Sequence, residues 1–154
     1  MSGAPAGPVT VQFATARAGR PAPATLRRWA LATLAVTGSP GAVTLRVVDA
    51  GEGAELNRSW RGRHGPTNVL SFPLAAPPGA PEAQLGDLVL CAPVIEREAA
   101  EQGKPVAAHW AHMVVHGLLH LAGHDHQKAR AATAMERLEV DLLGQLGYSN
   151  PYVV

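Results

Sequence analysis

Apolar and polar residues alternate from Val9 to Phe13, the period of a half-buried β-strand. A turn-rich link over 17–23 follows. The apolar spacing then lengthens, and Leu26, Trp29, Ala30 and Leu34 fall on one face of a helix over 25–36, stopped by residues 38–41. Residues 43–48 are largely apolar and β-branched and predict a central strand. Residues 51–60 predict a helix with Leu56 turned inward. A strand over 67–72 is ended by Pro73, and a loop over 75–84 carries prolines that keep it out of any ladder. Residues 85–91 read as a strand with Asp87 inside it. Pro93 suits the first turn of a helix that runs to Gln102, Pro105 starts the next, running to Leu121, and Gly123 ends that one. Ala131, Met135, Leu138, Leu142 and Leu146 mark one face of a last helix over 129–146. The order β α β α β β α α α predicts an α/β (α+β) layer fold, a small mixed sheet covered by about five helices.

Composition narrows this to one packed domain over residues 1–154. The chain has 154 residues, 47% hydrophobic and 16% charged, which is ordinary for a single core. The first eight residues and 75–81 are low in complexity, and the former are expected to be flexible. A formal charge of +1 provides no global field for collecting nucleic acid or an acidic membrane. One cysteine, Cys91, excludes an internal disulfide framework and a Cys-rich zinc module, and permits a reducing compartment. The N-terminus, MSGAPAGPVT, does not read as a signal peptide, and no run of about 18 apolar residues exists to span a membrane.

Histidine changes the picture. Six of the seven lie between His109 and His126. His116 and His120 are four apart on a predicted helix, so they differ by about 40° in azimuth and about 6 Å along the axis. Both imidazoles can therefore meet one cation, and a turn at Gly123 lets His126 swing back as a third ligand. Three neutral histidines with an open fourth position describe a catalytic zinc site at the end of a central helix. Three His ligands also suit nickel or copper. The skeleton matches the metzincin proteases, but those need Glu directly after the first His, and Gly117 stands there. Gly117 reads instead as a packing position on the apolar face. His109 and His112 project to the same side as His116 and His120, where they could line the cleft next to the metal, though the amphipathic pattern favours a solvated polar stripe. His124, two residues from His126, reads as an exposed turn residue, with a competing metal ligand as the alternative. Asp125 either orients a ligand imidazole or stabilises the turn.

The stretch HGLLHLAGHDH, from His116 to His126, resembles the signature of the YbeY family of bacterial endoribonucleases. ELNRSWRG, PTNVLSFP, LGDLVLC, GKPVAAHWAHMVVHG and the ending LGYSNPY are similar to further blocks of that family, in the same order. The resemblance covers about residues 43–152. It implies an α/β fold with a mixed four-stranded sheet, and zinc on His116, His120 and His126. It implies a cytoplasmic, single-strand-specific, metal-dependent ribonuclease that matures the 3′ end of the 16S ribosomal RNA precursor and serves ribosome quality control. The implied partners are single-stranded RNA and the small ribosomal subunit, with no membrane. The family's functional arginine falls on Arg61, which makes Arg61 and His116 the expected catalytic residues. The chain departs from the family at Trp60 and His124, where Tyr is common, and at His64 and Gly65, where Asp and Lys are common.

Phosphodiester cleavage needs an activated nucleophile and stabilised phosphate charge. No carboxylate base stands at the expected place, which favours metal-hydroxide or Lewis-acid chemistry. Arg61 offers a planar fork to phosphate, and Arg58 and Arg63 extend a local basic patch. The alternative for all three is a solvated helix end, where cations meet the C-terminal dipole. Aromatics are too sparse for a stacking platform of several bases. Two other functions remain open on sequence. One is a zincin-type metalloprotease, which the missing Glu opposes. The other is a non-catalytic ribosome-assembly factor with a structural metal.

Overall fold

The structure, a computed structural model, describes residues 9–38, 42–73, 84–123 and 129–152. The expected flexible start, most of the proline-rich loop, and His124, Asp125 and His126 lie outside the described residues. The elements are β1 (Val9–Phe13), α1 (Pro23–Thr37), β2 (Ala42–Val48), α2 (Ala50–Arg61), β3 (Val69–Pro73), β4 (Gln84–Cys91), α3 (Ala92–Gln102), α4 (Val106–Leu121) and α5 (Ala129–Gln145). This is the order read from the sequence, with ends shifted by a residue or two. The strands form one sheet in the order β1-β2-β4-β3. β2 is parallel to both β1 and β4, and β3 is antiparallel to β4. β2 is therefore central, as its composition predicts. Pro73 is the last residue of β3 rather than the residue beyond it, which an edge strand tolerates because no outer ladder needs its N–H.

Alternation along the strands assigns the two faces. Val43, Leu45 and Val47 of β2 join Leu88 and Leu90 of β4 in the larger core, packed by α1, α4 and α5. Val48, Leu70, Val89 and Cys91 point the other way, to a smaller cluster with Val94 and the partly buried Leu56 and Phe72. Each fully buried aliphatic side chain contributes about 1.5–3 kcal/mol relative to exposure. The larger cluster, with 23 buried residues among those described, therefore dominates stability. α4 runs through it, with Trp110, Val114, Leu118 and Leu119 almost without exposure. Among the described residues no helix is long and apolar enough to cross a membrane.

Gly117 lets α4 lie close against the sheet. A Cβ built there meets Leu88 Cδ1 at 2.3 Å and Val69 Cγ2 at 2.9 Å. Ser71 Oγ of β3 donates to the Gly117 carbonyl at 3.0 Å and fastens the two elements. The packing role expected of Gly117 is thus its role in the fold. The contact also fixes the height of the neighbouring His116 above the sheet edge.

Candidate functional site

α4 carries His109, His112, His116 and His120 along one side. Successive rings meet edge to face, with centroids 6.1 Å apart for His109–His112, 6.0 Å for His112–His116 and 5.1 Å for His116–His120. His112, His116 and His120 line a cavity of about 680 Å³, closed on the far side by β3 and by the end of α2. His116 and His120 therefore share one cavity wall, as their spacing requires.

His109 and His112 are not solvated. They are 3% and 9% exposed, because α3, α5 and the C-terminal segment cover that side of α4. Each is matched to a carboxylate. His109 Nε2 lies 2.9 Å from Glu98 Oε1, and Asn68 Nδ2 donates to the same carboxylate. Burial pushes the His109 pKa down, against the opposing pull of Glu98.

The second carboxylate organises the site. Glu139 of α5 is 1% exposed. Its Oε1 lies 3.2 Å from His116 Nδ1, and its Oε2 lies 2.7 Å from His112 Nε2. The Tyr152 hydroxyl donates to the same Oε2 at 2.9 Å. Burial pushes the Glu139 carboxyl up, but the hydrogen bonds from His112 and His116 outweigh it and hold the pKa to about 2. Burial, with the charge of Glu139 beside it, pushes the Tyr152 phenol up. An ionised carboxylate only accepts. The nitrogens facing it therefore carry protons: Nε2 of His112 and Nδ1 of His116. The lone pair of a neutral His116 ring then sits on Nε2. His112 retains only Nδ1, which is buried and has no hydrogen-bond partner among the described residues.

Acid exposes this network. A carboxyl held below its unfolded value binds fewer protons folded than unfolded, so stability rises with pH across the gap. The contribution of Glu139 is complete above the ordinary carboxyl value of 4.5 and is lost as pH falls through about 2. Metal-free protein is expected to show its denaturant midpoint falling over that window. Glu139→Gln protein should show a flatter profile, and equal slopes would refute the assignment.

Across the cavity, α2 begins at Asp49, whose side chain accepts from Glu52 N at 2.9 Å, and ends at Gly62 in the left-handed region with φ 64°. Buried Asn57 donates to Gly65 O at 2.8 Å and fixes the turn beyond the helix. Trp60 and Arg61 reach the cavity from this end. The Arg61 side chain has no hydrogen bond or ion pair among the described residues, whereas Arg58 pairs with Glu55 one turn back. Arg58 and Arg63 are exposed and do not line the cavity.

The structure thus brings Arg61, His116 and His120 together; His126 lies outside the described residues. Sequence reasoning missed Glu139, Tyr152 and Glu98. The ligand atoms of His112, His116 and Glu139 all lie within 4.8 Å of one another, a group that could hold a metal ion in place of the protons the two imidazoles share with Glu139. Imidazole and carboxylate donors of this kind suit zinc and other first-row divalent metals alike.

Residues 23–147 match the family model described as Endoribonuclease YbeY. A protein of that name from Alkalilimnicola ehrlichii is 57% identical over 99% of this chain and 95% of its own length. One from Methylococcus capsulatus is 58% identical over 86% of this chain and 87% of its own. The solution structure of a Thermotoga maritima protein shares the fold, with a TM-score of 0.58 and 21% identity over 95% of this chain and 99% of that one.

Proposed function

The chain belongs to the YbeY endoribonuclease family, and from that premise we propose that it is a metal-dependent, single-strand-specific endoribonuclease. Its substrate in the cytoplasm is the 3′ end of the 16S ribosomal RNA precursor on the small ribosomal subunit. The observation that carries the reading is the cavity itself. Two histidines one helical turn apart stand on one wall, and Arg61, with no partner among the described residues, stands on the other.

His116, His120 and His126 are the residues that would hold the metal, one zinc per chain. A bound zinc supplies Lewis acidity to the phosphoryl group. Glu139 keeps the proton of His116 on Nδ1 and so presents Nε2 as the ligand atom. This is the way a carboxylate behind a ligating histidine ordinarily sets its tautomer. His112 and Tyr152 hold Glu139 in turn and are supports rather than ligands. Arg61 receives a phosphate with its planar guanidinium. Arg58 and Arg63, at the same end of α2, add local positive field to an otherwise balanced surface.

Zinc-loaded protein is expected to cut a labelled single-stranded RNA and spare the matched duplex, with cleavage lost on chelation and restored by zinc. Cleavage indifferent to chelation would remove the metal from the reading. Arg61→Ala protein should keep its zinc content and lose about 10- to 1,000-fold in cleavage, the loss usual for one group that stabilises transition-state charge. A drop in zinc content instead would show that Arg61 shapes the metal site.

A further inference from the structure

The end of α2 keeps an indole in water. Trp60 is 68% exposed, the most exposed large apolar side chain among the described residues, while Trp29 and Trp110 are each 1% exposed. Phe72 of β3 braces the indole, with ring centroids 4.9 Å apart at 67°. Trp60 lines the histidine cavity on one side. On the other it lines a second depression of about 350 Å³ on the opposite sheet face, beside Arg46 and Asp87. It therefore stands on the ridge between the two. Arg61 is its neighbour in the chain and lines the histidine cavity. A flat π surface next to a cation matches the two chemistries of a nucleotide, base face and phosphate.

We propose that Trp60, braced by Phe72, is a stacking subsite for one unpaired nucleobase of RNA at the mouth of the histidine cavity. The subsite rests on the ribonuclease reading and deepens it. Stacking on Trp60 requires a base with an open face, which a duplex does not offer. The preference for single strands thus originates at this ridge. Every base has a π face, so the subsite tolerates sequence, with purines held more firmly than pyrimidines by their larger rings. One ring suffices for one base, in keeping with the scarcity of aromatics elsewhere in the chain.

Because the other two tryptophans are buried, emission accessible to a collisional quencher reports on Trp60. Zinc-loaded protein would be titrated with a 2′-O-methyl oligoadenylate, which resists cleavage, and with an abasic oligomer of the same length. The oligoadenylate should quench this emission and the abasic chain should not. Trp60→Phe should bind within a few-fold of wild type. Trp60→Ala should bind about 5- to 100-fold more weakly, the range for loss of one stacked base. On cleavable RNA it should raise KM more than it lowers kcat. Equal quenching by the abasic chain, or unchanged oligoadenylate affinity in Trp60→Ala, would overturn the subsite and leave the nuclease reading intact. Undiminished RNA cleavage by His116→Ala protein would overturn the nuclease reading while base-dependent quenching at Trp60 still stood.

Discussion

Glu139→Ala protein is expected to lose about 3–5 kcal/mol of folding stability and, like His116→Ala, to lose cleavage of single-stranded RNA. The two variants fail for different reasons. His116→Ala removes a proposed ligand atom from a side chain that is 25% exposed, and leaves Glu139 Oε1 without its imidazole. Glu139→Ala removes a buried charge to which two imidazoles and a phenol are matched. Three donors then lose their acceptor inside the protein, and an orphaned buried donor costs its full desolvation. Glu139→Gln separates folding from function. The amide preserves shape and one acceptor, but it turns an NH₂ toward either His116 or the His112–Tyr152 pair. It should fold with a smaller loss and bind zinc about 10- to 100-fold more weakly, the usual result of removing the partner of a metal-ligating histidine. Denaturant titration measures the first quantity and zinc competition the second. Nitrogen NMR of His116 reads the tautomer directly, with the proton on Nδ1 in wild type and a mixture in the glutamine variant. A glutamine variant with wild-type zinc affinity would refute the orienting role.

The histidine pair was legible because it needs only a helix. Spacing by four places His116 and His120 on one side whatever surrounds them, and the cavity confirms that they share a wall. The strands were legible for a similar reason, since period-two alternation depends on local chain geometry alone. The environment of His109 and His112 was not legible. Their polarity suggests solvent, and only the docking of α3, α5 and the segment carrying Tyr152 buries them. Tyr152 reaches His112 across 40 residues, and no local pattern announces that. Glu139 did leave a trace. It stands four residues after Met135 and three before Leu142, inside the stripe that α5 turns to the core, and all three are buried. A carboxylate at a core position of an amphipathic helix requires a buried partner. The row of histidines on the preceding helix was the available one.

The missing carboxylate next to His116 has a physical cause. A zincin protease places its base at the position of Gly117, and here that position is the contact between α4 and the sheet. Gly117→Glu is therefore expected to yield no folded domain rather than a protease. The new Cβ would overlap Leu88 Cδ1 at 2.3 Å and crowd Val69 Cγ2 at 2.9 Å. Leu88 is fully buried. The remainder of the glutamate would carry a charge into that apolar contact, at a cost far above the stability of a domain this size. Gly117→Ala isolates the steric part. It should cost about 1–3 kcal/mol by overpacking. Relief by α4 lifting from β3 and β4 should also weaken zinc binding through displacement of His116 and His120. Circular dichroism melts and zinc competition on the alanine variant test both halves. Wild-type stability with wild-type zinc affinity would show that the helix has room at Gly117. The absence of a base there would then need another explanation than packing.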